Sequence, residues 1–180
     1  SFVLTGETDQ SFWVGSYFSP AQVVRERLEH HVIADDVVVE DQTDRWTGFS
    51  IWDDAAHAWL AEASRGTLVF AGRRDRSPVV EWVYPLAAGE PEWTTELRAV
   101  ARELDVEEVE LRRIRATLPA VPGDIGPGDL PNEGGLEADA VSFTKGCYLG
   151  QEVMARLKSM GQVRRRLRRG GGGGGGGPPR

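Results

Sequence analysis

Hydrophobic and polar positions along this 180-residue chain switch repeatedly between strand-like alternation and helical spacing. Phe2, Val3 and Leu4 open as a strand, Gly6 to Asp9 turn, and the aromatic run at 11–18 predicts a second strand. Ser19 and Pro20 then start a helix, because a proline at the first helical position has no N–H to leave unpaired. Val23, Val24 and Leu28 recur at helical spacing and carry that helix to about residue 30. Asp35 and Asp36 turn the chain into an expected strand at 37–41, buried at its start. Residues 46–52 (WTGFSIW) predict an aromatic strand. Asp53 suits the cap of a helix reaching about residue 63, with Ala56, Trp59, Leu60 and Ala63 on one face and Gly66 as its stop.

Residues 67–71 and 79–84 are two β-rich runs joined by a polar connection, which predicts a hairpin. Residues 93–104 predict an amphipathic helix with Leu97, Val100, Ala101 and Leu104 as its apolar row. A further short helix is expected over 106–118, carrying Val109, Leu111 and Ile114. Residues 119–135 hold four prolines and five glycines, and a loop this long in a compact domain tends to be functional or disordered. Beyond it, 136–143 leads to the octapeptide Lys145 to Glu152 (KGCYLGQE), then a helix to about residue 157 and an alternating strand at 162–168. Paired strands followed by helices predict an α+β fold with mostly antiparallel sheet.

Composition narrows the class. Hydrophobic residues at 40% and charged residues at 27% suit a soluble globular protein, and no apolar run reaches the length of a spanning helix. One cysteine cannot form an internal disulfide, so a reducing, cytoplasmic location is expected. The net charge of −7 conceals seven basic residues and no acid between Arg156 and Arg169. The acidic remainder is a poor nucleic-acid surface, and Arg164 to Arg169 read better as an edge strand kept soluble by charge. No direct nucleic-acid or membrane partner is expected. The first strand begins without lead-in, and Gly170 to Gly177 form an unbroken run. Both features suggest a fragment whose 170–180 tail is not the true sequence.

Cys147 is the first chemical candidate. A thiol near a helix N-terminus, with Lys145 close by, has its thiolate favoured. The alternative is a small buried hydrophobe. His30, His31 and His57 show no metal-ligand spacing, and one cysteine without a nearby histidine does not hold a cluster, so no metal site is expected. In the loop, Asp124, Asp129 and Glu133 lie on glycine–proline backbone. A carboxylate held there can accept paired N–H bonds from a heterocycle such as a pterin. Arg112, Arg113 and Arg115 read as a solvated helix face from which one can turn inward.

The run KGCYLGQEVMAR resembles the signature of the YgfZ-type proteins, folate-binding relatives of the glycine-cleavage T-protein, an aminomethyltransferase. Arg113-Ile114, Asp124-Ile125 and the stretch Leu130 to Leu136 (LPNEGGL) are similar to further segments of that family, as is His31 to Val37. The resemblance covers roughly residues 20–168. It implies a T-protein-like fold of antiparallel sheets and packed helices around a central folate cavity, without the family's N-terminal segment and C-terminal barrel. The core would divide at about residue 105, with 106–169 carrying the long loop and octapeptide. Tetrahydrofolate would be the cofactor, with Glu133 at the pterin-binding position and Arg113 and Asp124 beside it. Cys147, helped by Lys145, would be the reactive or partner-contacting group. The implied role is assistance to iron–sulfur proteins or their assembly machinery, including tRNA-modifying enzymes. Aminomethyl transfer to tetrahydrofolate is the alternative, and whether the protein is an enzyme stays open.

Overall fold

The computed structural model describes residues 2–6, 8, 10–53, 66–138, 140–147, 150–160 and 165–168. They form two compact units, Ser1–Val109 and Glu110–Arg180. The class is mixed α+β with antiparallel sheets.

The first unit opens with a hairpin of β1 (Phe2–Thr5) and β2 (Phe12–Gly15), paired antiparallel so that Phe2 faces Gly15. A Cβ on Gly15 would stand 2.1 Å from the Phe2 ring, so a larger residue there would have to push that ring aside. Helix α1 (Ala21–Glu29) follows directly after Pro20. Next come β3 (Trp46–Trp52), β4 (Leu68–Ala71) and β5 (Val79–Pro85), a sheet in the order β3-β5-β4. The expected β4–β5 hairpin is present, with Ala71 opposite Val80. The helix expected at 53–63 lies almost wholly outside the described residues.

Strand β5 is central, and its burial follows from that: Val79, Val80, Glu81, Trp82 and Tyr84 are all buried. Side chains alternate across a sheet, so neighbouring residues meet different layers. On one face, Trp82 meets Trp93 edge-on at 4.7 Å and Phe49 stacks on Tyr84 at 5.5 Å. Trp93 begins helix α2 (Trp93–Val100), which covers that face. On the other face Phe2 packs on Phe70 at 4.4 Å and Trp13 meets Trp46 at 4.8 Å, which seats the β1–β2 hairpin there.

Glu81 is also on the hairpin side, 3% exposed, and a buried carboxylate must be matched by donors. The Tyr17 hydroxyl donates to Oε1 at 2.9 Å, Ser50 to Oε2 at 2.6 Å and Arg74 Nε to Oε1 at 3.1 Å. The Arg74 guanidinium also lies 4.0 Å from the Tyr17 ring centre. Burial, with the Glu81 charge adding to it, pushes the Tyr17 hydroxyl up to about 12. This cluster went unread in the sequence, although a glutamate between Val80 and Trp82 in an apolar run was its signal.

Three expectations are corrected here. Residues 37–41 form no strand, and Val37 and Val38 are exposed. Helix α2 stops at Val100, itself exposed, where Ala101 turns extended, and Asp105 accepts the Glu108 N–H at 2.8 Å to cap helix α3 (Val106–Arg115). Leu111 and Ile114 of α3 are exposed, and the buried residue of that helix is Arg113.

Glu81→Ala leaves the donors of Tyr17, Ser50 and Arg74 without their acceptor. It should cost about 3–5 kcal/mol in chemical denaturation. A loss below about 1 kcal/mol would show that water replaces the carboxylate without penalty.

Candidate functional site

The second unit is built on two carboxylate–guanidinium clusters. The first closes α3. Thr117 takes a left-handed φ of 57°, and the Leu118 N–H reaches back to the Arg113 carbonyl at 3.1 Å. Pro119 follows and disfavours further helix, so α3 ends short of the expected residue 118. The returning chain carries Asp124 to the Arg113 side chain. Arg113 Nη1 donates to Asp124 Oδ2 at 2.5 Å and to the Leu118 carbonyl, while Nε and Nη2 grip both oxygens of Glu110. Asp124 Oδ2 also accepts the Ala120 N–H at 2.8 Å.

Arg113 therefore is not part of a solvated face. Its donors satisfy a loop carbonyl and two carboxylates, and these partners draw it inward. Hydrogen bonding to Arg113 holds the Glu110 carboxyl below its usual range. Burial acts to raise Asp124, but the Ala120 N–H and Arg113 outweigh it and the net direction is down. The Arg113 guanidinium is held more firmly protonated, first by Glu110.

The second cluster occupies 126–137. Asp129 accepts the Gly126 N–H at 2.8 Å, and a 3-10 turn at Pro131–Gly134 carries Glu133. Gly134 allows that turn to pack, since a Cβ there would lie 2.6 Å from Ile125 Cδ1. Glu133 Oε2 accepts the Leu130 N–H at 3.1 Å. Both carboxylate oxygens meet one guanidinium: Arg165 Nε to Oε1 at 3.1 Å and Arg165 Nη2 to Oε2 at 3.2 Å. Arg165 Nη2 also reaches Asp129 Oδ1 at 3.0 Å. The Leu167 N–H donates to the Glu133 carbonyl at 2.7 Å, and Arg166 Nη2 to Glu137 Oε1 at 3.1 Å.

Residues 165–168 are thus tied to this loop and form no strand, while 161–164 lie outside the described residues. Two buried acceptors in the same stretch, Asn132 Oδ1 and Glu137 Oε2, have no hydrogen-bond donor among the described residues.

Cys147 stands apart from both clusters. It is a free, exposed thiol, and the octapeptide residues Tyr148 and Leu149 lie outside the described residues. Before it, Ser142 Oγ accepts the Lys145 N–H at 3.2 Å. After it, Gly150 takes a φ of 80° and helix α4 (Gln151–Met160) begins, three residues longer than expected. Lys158 of α4 lies over the Phe143 ring at 4.2 Å, which ties that helix to the segment entering the octapeptide. The structure therefore joins Arg113 to Asp124 and Glu133 to Arg165. No hydrogen bond links Cys147 to any of them among the described residues. Sequence reasoning missed Arg165 as a partner of Glu133; opposite charges in two loop-like stretches were the only signal.

With these clusters described, comparison with known proteins becomes informative. No family model matches the chain. Part of the chain is similar to iron–sulfur cluster assembly factors. Over 46 residues it is 54% identical to the mitochondrial iron–sulfur cluster assembly factor IBA57 of Homo sapiens, covering 24% of this chain and 13% of that protein. Over 65 residues it is 42% identical to the Mus musculus protein of the same name, covering 35% and 18% respectively. The chain thus spans under a fifth of the length of these relatives. No helix among the described residues is long and apolar enough to cross a membrane.

The depressed carboxylates make a pH prediction. Their folded pKa values lie below the unfolded ones, so their stabilisation is complete above about pH 5 and is lost as pH falls through the folded values. Asp124→Asn should therefore be less stable than wild type near neutrality, and the difference should shrink in acid. Denaturant midpoints at about pH 7 and pH 3 check this, and an equal gap at both would refute the ion-pair account.

Proposed function

We propose that this protein binds tetrahydrofolate and assists the assembly or repair of iron–sulfur clusters, and through them enzymes that modify tRNA. The observation that carries the assembly half is the local identity to two assembly factors. Their role in cluster assembly favours assembly over aminomethyl transfer. They also make a mitochondrial setting as reasonable as the cytoplasmic one, and both compartments keep a lone thiol reduced.

The folate half rests on Glu133. Its carboxylate is 12% exposed and already receives two side-by-side N–H groups, the arrangement that the 2-amino-4-oxo edge of a pterin presents. Arg113 and Asp124 fit a different role. Their polar atoms hold one another and Glu110, so they shape the loop that carries Glu133. Tetrahydrofolate, when bound, supplies a reduced pterin that can carry one-carbon units. Cys147, exposed on the approach to α4, is the group offered to an iron–sulfur partner, with Lys145 beside it in sequence.

Calorimetric titration with tetrahydrofolate tests the site. Wild type should bind, and Glu133→Ala should bind roughly tenfold to a hundredfold more weakly, the range for a hydrogen-bonded charge. Absence of wild-type binding removes the folate half. In cells lacking the protein, Cys147→Ala should restore iron–sulfur enzyme activity less well than wild type. Equal restoration removes the role of Cys147.

A further inference from the structure

The same pair of contacts on Glu133 points to a competitor built into the chain. Arg165 presents Nε–H and Nη2–H, two donors on nitrogens bonded to one carbon. A 2-amino-4-oxopyrimidine ring presents its ring N–H and exocyclic amine in the same way. Both edges need both oxygens of one carboxylate, and Glu133 Oε1 and Oε2 are each already within 3.2 Å of Arg165.

The two sides of this contact are unequal. The Glu133 side chain is 12% exposed and its Oε2 is held by the Leu130 N–H, so it has little freedom to turn to a second ligand. The Arg165 side chain is 71% exposed and can swing into water. Its remaining attachment is one contact to Asp129, at 3.0 Å. Burial thus fixes the acceptor and leaves the donor free to exchange. The neighbouring Arg166–Glu137 pair and the Leu167 N–H keep residues 166–167 on the loop whether or not the Arg165 head is displaced.

We propose that the Arg165 guanidinium occupies the pterin position on Glu133 in the free protein and is displaced when the ligand binds. This rests on the folate reading of Glu133. Arg165 then sets a threshold: only a ligand that supplies both N–H donors, with further contacts elsewhere, displaces an intramolecular mimic. Displacement also releases a cation from the loop, so ligand binding alters the charge presented by 165–168.

The test combines calorimetry with the side-chain Nε–H resonance of Arg165, assigned by its loss in Arg165→Lys. Arg165→Ala should bind tetrahydrofolate roughly twofold to fivefold more tightly than wild type, the gain expected from removing an exposed ion pair. Arg166→Ala, which breaks only the Glu137 pair, should bind as wild type does. In ligand-free Glu133→Gln, and in wild type saturated with tetrahydrofolate, the Arg165 resonance should move to the position of a free arginine. If wild type binds tetrahydrofolate while Arg165→Ala binds equally or more weakly, or if the resonance stays in place, Arg165 is no competitor and the folate reading stands. If neither wild type nor Arg165→Ala binds, both readings fall.

Discussion

A buried guanidinium has to find acceptors close at hand, and in the second unit that requirement shapes everything around it. Arg113 has donors on three nitrogens, and they are met by Glu110 in its own helix, by the Leu118 carbonyl and by Asp124. Meeting them forces α3 to stop, the chain to reverse at Thr117 and the proline-rich loop to come back to the helix. Without that closure the turn bearing Glu133 would have no fixed base, since Gly134 packs against Ile125 and Pro119 of the same loop. The cost of an unpaired buried charge is several kcal/mol, more than any single loop contact supplies.

Glu133 inherits its properties from this arrangement. The loop holds it with few degrees of freedom and Arg165 spans its two oxygens, while Asn132 and Glu137 leave acceptors unfilled nearby among the described residues. Cys147 belongs to a different kind of chemistry. It is exposed, takes no part in these hydrogen bonds among the described residues, and is carried on a segment tied to α4 by Lys158 and Phe143.

The first unit follows the same rule with the opposite charge. Glu81 sits in the central strand of an aromatic sheet, and Tyr17, Ser50 and Arg74 converge on it from three different segments. Its carboxylate fixes how the residues after the first hairpin and those joining β4 to β5 meet the sheet. Trp82 and Trp93 supply the apolar counterpart on the other face.

What the sequence determined by itself was local. Alternation in WTGFSIW and VVEWVY set β3 and β5, the Ser-Pro step set the start of α1, and the glycines around Cys147 set a helix beginning at Gln151. Each depends on neighbours a few residues away, where periodicity and capping act. The failures came where packing decides. Val37 and Val38 look like a strand but lie exposed and outside any strand, and Ile114, at helical spacing, is exposed while Arg113 is buried. Which arginine turns inward, and that Arg165 lies on Glu133 across 32 residues of chain, depended on the folded loop. Charge pairing at that separation has no periodic trace in a sequence. It arises only when the backbone has already brought both ends together, and so the tertiary structure decided it.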